Sequence, residues 1–122
     1  MGATVVMACR SVERGTRALE EVRRASGSDR VELAPVDMAS QASIRQFVEA
    51  FTSRHQQLDV LIHNAANFAH TFKNPILTAD GVETIFATNH VVIFLMPHLL
   101  LDLLKASAPS RIITVASTAT PT

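Results

Sequence analysis

Residues 58–66, Leu-Asp-Val-Leu-Ile-His-Asn-Ala-Ala, constrain the fold more than any other stretch of the chain. A short apolar run at 60–62 ends in the polar pair His63 and Asn64 and then in small residues. An apolar run this short, entered from a helical pattern and left through Asn-Ala-Ala, reads as a buried parallel strand whose carboxyl end opens into a loop. In open α/β sheets ligands sit at that edge. Two strand-helix units precede the stretch, and a long helix and one more strand follow it.

Residues 4–8, Thr-Val-Val-Met-Ala, are β-branched and apolar and read as a strand close to Met1. Ser11 is placed to cap the next helix, with Val12, Gly15, Leu19 and Val22 on one face and Glu13/Arg17 and Glu20/Arg24 one turn apart on the other. Ser26-Gly27-Ser28 stops it. Residues 31–36 form a second strand with Asp37 at its carboxyl end. Ser40 then caps a helix in which Ile44, Phe47, Val48 and Phe51 follow the i, i+3, i+4, i+7 spacing of a single buried stripe.

After the third strand a loop runs from 67 to about 79, with Asn74-Pro75 as a turn signal. Residues 81 to about 106 are helical in pattern, interrupted by Asn89 and His90, and Pro97 predicts a kink near 94–97 because it lacks the amide an interior bond needs. Lys105 suits the last turn, Pro109 lies beyond it, and 111–115 form the fourth strand, left through Ala116-Ser117-Thr118. The order βαβαβαβ, with connections long enough for helical crossovers, predicts an α/β fold: a parallel sheet of about four strands with helices on both faces.

A length of 122 residues allows a single domain over 1–122. Hydrophobic residues at 48% against 18% charged exclude a disordered chain, and a net charge of zero removes the footprint of a nucleic-acid or anionic-membrane binder. The single Cys9 forbids an internal disulfide and points to a reducing, cytoplasmic setting. The most apolar segment, 91–104, is about 14 residues long and carries Pro97, His98 and Asp102, short of the roughly 20 that a membrane span needs.

Arg10, Asp37, Asn64 and Ser117 each follow a strand, so in a parallel sheet all four reach one edge. Arg10 reads either as a solvated charge or as a bidentate partner for an anionic group. Asp37 reads as a site residue or as a loop residue ahead of the Ser40 cap. Asn89, inside an apolar helix, must find partners for its amide and either bridges backbone groups and water or serves a site. No Gly-x-Ser-x-Gly elbow surrounds Ser117, which disfavours a hydrolase. His55, His63, His70, His90 and His98 show no metal-ligand spacing and read as ordinary, and no Gly-x-Gly-x-x-Gly occurs.

Val5-Val6-Met7-Ala8-Cys9-Arg10, Asp37, Leu61-Ile62-His63-Asn64-Ala65-Ala66, Thr78-Ala79-Asp80-Gly81-Val82-Glu83, Thr88-Asn89-His90 and the segment 107–117 together resemble the short-chain dehydrogenase/reductase family. The branch they are most similar to is the retinol-dehydrogenase-like and WW-domain-oxidoreductase-like one. The resemblance covers essentially the whole chain. It implies a Rossmann-like domain that binds NADP(H) in preference to NAD(H) and moves hydride between the nicotinamide and a small-molecule alcohol or carbonyl. On the matching positions Arg10 would meet the adenosine 2′-phosphate, Asp37 would hold the adenine, and Asn64 with Ala65 and Ala66 would line the ribose side. Asn89 would support a proton relay and Ser117 would hydrogen-bond the substrate oxygen.

The same resemblance places the family's first strand and glycine-rich turn ahead of Met1 and its Tyr-x-x-x-Lys after Thr122, and the chain contains no tyrosine. Within the matched part His63 stands for an Asn, Ala66 for a Gly, and Val91-Val92 for a Leu-Gly. A central piece of such an enzyme is expected not to turn over alone. Without the first strand, the sheet is expected to close in the order 2-1-3-4, or else to recruit a second copy or a partner chain at the open edge. The alternative is a non-catalytic α/β module that binds a nucleotide or a partner, or a truncated product without activity.

Overall fold

The computed structural model describes residues 2–68 and 74–118. The fold is α/β: its strands, β1 (Val5–Cys9), β2 (Val31–Pro35), β3 (Val60–His63) and β4 (Arg111–Thr114), all pair in parallel and are joined through helices. The chain divides into two compact units, Met1–Met38 and Ala39–Thr122.

In the first unit, α1 (Val12–Ser26) connects β1 to β2. Ser11 caps it as expected, its hydroxyl accepting the Arg14 N–H at 3.3 Å, and Glu13 pairs with Arg17 one turn on. Gly27 ends the helix in the left-handed region at φ +65°, its N–H returning to the Arg23 carbonyl at 2.9 Å. Gly15 is the buried residue of α1, and a Cβ there would lie 2.5 Å from Cys9 Sγ and 2.6 Å from Leu33 Cδ1. The absent side chain is what lets α1 approach β1 and β2. Packing centred on Gly15 leaves both ends of the predicted stripe in solvent: Val12 and Val22 are exposed. Val5 pairs with Val31 and Cys9 with Pro35, and the Val36 N–H extends the ladder to the Cys9 carbonyl at 3.0 Å.

The second unit opens with α2 (Gln41–Arg54), capped by Ser40, whose hydroxyl accepts the Ser43 N–H at 3.2 Å. Ile44, Phe47 and Val48 are buried as the stripe requires, and the Phe51 ring stacks on His55 at 4.7 Å between centroids. The predicted long helix is broken into pieces: α3 (Thr84–Phe86), a π turn (Ala87–Val91), α4 (Val92–Leu99) and α5 (Leu101–Ala106). Ala87, Val92, Met96 and Leu104 from these pieces, with Leu100 at the junction of α4 and α5, join the buried residues of α2 as the apolar core of this unit.

The expected kink at 94–97 is displaced. Pro97 lies inside α4, and the helix departs from α geometry before it, in the π turn, and after it, at Leu100 with φ −95° and ψ 4°. The π turn absorbs an extra residue upstream, so the irregularity falls there.

β3 and β4 align Val60 with Arg111 and His63 with Thr114. The Ser107 hydroxyl accepts the Leu58 N–H at 2.9 Å and donates to the Leu103 carbonyl at 2.7 Å, fastening the segment before β3 to the end of α5. The anticipated closure into one sheet ordered 2-1-3-4 is corrected by the ladders, which form two two-stranded sheets, β1-β2 and β3-β4. Each pair joins strands consecutive in its own unit, the neighbours that a local crossover favours. Among the described residues no helix is long and apolar enough to cross a membrane.

Candidate functional site

Arg10 and Asp37 follow the carboxyl ends of β1 and β2. Because the two strands are parallel and Cys9 stands opposite Pro35, both residues leave the same end of the pair. Arg10 is exposed and Asp37 is half-buried. In the second unit Asn64, Ala65 and Ala66 leave β3 where Ser117 follows β4, again at one end of a parallel pair with His63 opposite Thr114. All of these are exposed, and the alanine side chains leave the backbone at 65–66 approachable.

Asn89 is the best-defined of the predicted residues. Its Oδ1 accepts the Asn67 N–H at 2.7 Å and its Nδ2 donates to the Asn67 carbonyl at 2.9 Å. One side-chain amide thus pairs with a backbone unit as a neighbouring strand would, and pins the loop that leaves β3. Of the two readings the sequence left open, bridging of backbone groups is realised. The π turn presents this amide: the Val92 N–H reaches back to the Ala87 carbonyl, the i→i+5 bond of a π turn, and Asn89 lies at its centre.

The turn is held from its amino-terminal side by Glu83, whose two carboxylate oxygens accept the Ile85 N–H at 3.0 Å and the Phe86 N–H at 2.8 Å. These two backbone bonds, that from Ile85 first, hold the Glu83 carboxyl below its usual range. On the turn itself the Phe86 and His90 rings stack at 4.9 Å.

By its spacing in the sequence His63 is an ordinary histidine. It closes β3 on the half-buried face shared with Leu61, and its Nε2 is buried without a hydrogen-bond partner among the described residues. Burial lowers its pKa, keeping the imidazole neutral. Asn67 and Glu83 were also missed as functional positions. Glu83 stands just before a helical run, where a capping search could find it. Asn67 carries no signal, because its partner lies 22 residues away. His70 and the 69–73 part of the predicted loop lie outside the described residues.

An apolar groove of about 420 Å³, walled by Phe86, His90, Phe94 and His98 with Gln41, contains none of the predicted site residues.

The short chain dehydrogenase family profile matches residues 1–122. The chain is 45% identical over 118 residues to human dehydrogenase/reductase SDR family member 13, covering 97% of this chain and 30% of that protein. It is 41% identical over 118 residues to human retinol dehydrogenase 11, covering 97% of this chain and 36% of that one. The chain therefore spans about a third of the length of these curated relatives. Among solved structures it is similar to a metagenomic short-chain oxidoreductase in complex with NADP, with a TM-score of 0.78, 27% identity, and coverage of 99% of this chain and 55% of that one. With its parallel strands, its helical crossovers and a family profile matched along its whole length, this chain belongs to the short chain dehydrogenase family.

Proposed function

We propose that the protein is an NADP(H)-dependent oxidoreductase acting on a small-molecule alcohol or carbonyl, and that this chain carries part of its cofactor edge. The observation that carries the reading is Arg10, an exposed residue that follows the carboxyl end of β1 at the same end of the strand pair as the half-buried Asp37. A planar cation there fits a phosphate bidentately, as the 2′-phosphate of NADP requires and the 2′-hydroxyl of NAD does not. NADP in the similar solved structure supports the same choice.

Further residues at the carboxyl ends of the strands support the reading. Asp37 would take the adenine, and the open backbone at Asn64, Ala65 and Ala66 would take the ribose side. Bound there, the cofactor supplies hydride chemistry. The part of Asn89 is positional: it fixes the 64–68 loop and leaves one Nδ2 hydrogen for a water on a proton path. The exposed Ser117 would donate its hydroxyl to the substrate oxygen.

Cofactor preference tests the reading. Arg10→Ala should weaken NADPH binding about tenfold or more and leave NADH unchanged; equal losses for both nucleotides would sink it.

A second reading, an interaction module, is supported by the apolar exposure of the β3-β4 pair: Val60, Ile62, Ile112 and Ile113 are each more than two-fifths exposed. Exposure on this scale favours a covering chain, either a second copy or a partner. Light scattering that finds only monomer across a wide concentration range would remove the second copy.

A further inference from the structure

The segment Thr78-Ala79-Asp80-Gly81-Val82-Glu83 is the one quoted motif that the proposed function leaves without a task. It folds into a closed clasp. The Thr78 N–H bonds the Val82 carbonyl at 2.7 Å, the Gly81 N–H bonds the Thr78 carbonyl at 3.0 Å, and Gly81 takes the positive φ of +74° that the reversal needs. Leu77 bridges Glu83, while Thr84 gives both its N–H and its hydroxyl to the Ile76 carbonyl at 2.8 and 2.7 Å.

Two carboxylates leave the clasp in different directions. Glu83 caps α3. Asp80 reaches across 39 residues of sequence to accept the Gln41 N–H, the first amide of α2, at 2.9 Å. Ser40 already serves the Ser43 amide, so Asp80 satisfies a different orphan donor of the same helix end. Its bond is tertiary, joining two segments, whereas that of Ser40 is local.

A series of hydrogen bonds leads from the clasp to the loop that leaves β3. Glu83 holds the amides of Ile85 and Phe86, α3 runs directly into the π turn, and Asn89 at the centre of that turn holds both backbone groups of Asn67. We propose that Asp80 is a positioning residue for the loop that leaves β3: by locking the clasp to α2 it fixes the π turn, and through Asn89 it fixes the backbone of Asn67 next to Asn64, Ala65 and Ala66. Asp80 touches neither cofactor nor substrate in this account. Its influence on catalysis rests on the proposed cofactor edge, but the mechanical coupling does not.

Amide hydrogen exchange on the full chain tests the coupling without any nucleotide. In Asp80→Ala the Asn67 N–H should exchange about tenfold faster, along with those of Gln41, Ile85 and Phe86, while amides of β1 and β2 keep their rates. Asp80→Asn retains an acceptor oxygen for Gln41 and should restore most of the Asn67 protection. Faster exchange confined to Gln41 would overturn the proposal, as would uniform acceleration of every amide in both variants, which would make Asp80 a contributor to global stability only.

A parallel NADPH titration separates this inference from the function it serves. Coupling at Asn67 in a chain indifferent to NADPH would retain the positioning role and defeat the cofactor reading. Unchanged Asn67 exchange with intact NADPH binding would do the reverse.

Discussion

Substituting Asn89 probes the account where the structure is most explicit. Its amide makes bonds of 2.7 and 2.9 Å to the two backbone groups of Asn67, in a part-buried setting. Asn89→Ala leaves the N–H and the carbonyl of Asn67 without protein partners, and an unsatisfied buried backbone group costs ~1–3 kcal/mol. Partial access to water puts each at the low end, so the two together cost roughly 2–3 kcal/mol. Alanine recovers about 0.5 kcal/mol of helix propensity over asparagine. The net loss should be about 2 kcal/mol, roughly a thirtyfold change in the equilibrium for opening the loop.

Asn89→Asp is the sharper variant. It keeps an acceptor for the Asn67 N–H but sets a carboxylate oxygen against the Asn67 carbonyl, where the Nδ2 donor had been. At neutral pH it should be at least as damaging as alanine. The damage should shrink on acidification, as the carboxyl takes up a proton and can donate again. Urea unfolding, read as a midpoint shift at constant m, gives the stability, and amide exchange at Asn67 locates it. An Asn89→Ala chain with wild-type Asn67 protection, or an Asn89→Asp chain as stable as wild type at pH 7, would refute the reasoning.

Gly15→Ala should destabilise the first unit by up to about 2 kcal/mol, because an overpacking cost of ~1–3 kcal/mol against Cys9 and Leu33 is offset by only ~1 kcal/mol of helix propensity; a raised urea midpoint would contradict the close approach. His63 predicts a pH dependence. Burial lowers its folded pKa beneath the ordinary value, so the unfolded chain binds the proton first, and stability present at pH 7.5 should fall as pH drops below about 6.5. His63→Asn should flatten that part of the melting-temperature profile, and an unchanged profile would show that His63 does not supply it.

What could be read in advance follows the range of the interactions involved. Caps and stripes within one helix were legible: Ser11, Gly27, Ser40 and the Ile44, Phe47, Val48 face all act over a few residues. So were the residues that follow strands, since a parallel arrangement fixes which end Arg10, Asp37, Asn64 and Ser117 leave. The long-range fasteners were not. Ser107 serves an amide 49 residues away, Asn89 a backbone unit 22 away and Asp80 a helix end 39 away, and no periodicity marks such partners. Of the neighbours in the expected order 2-1-3-4, the β1-β2 and β3-β4 pairs form and the β1-β3 pair does not: hydrophobic runs specify that strands exist, while a pairing not fixed by a local crossover depends on which edges find partners. The π turn was visible only as an interruption at Asn89 and His90, because one inserted residue leaves the apolar pattern almost unaltered.

The central claim is that residues at the carboxyl ends of the parallel strands bind the nucleotide, and amide exchange with and without saturating NADPH tests it most directly. The account predicts slower exchange at Arg10, Asp37 and residues 64–66, with no change at the opposite strand ends near Arg30 and Asp59. Protection at those opposite ends, or none at residues 64–66 under conditions where NADPH is bound, would contradict it.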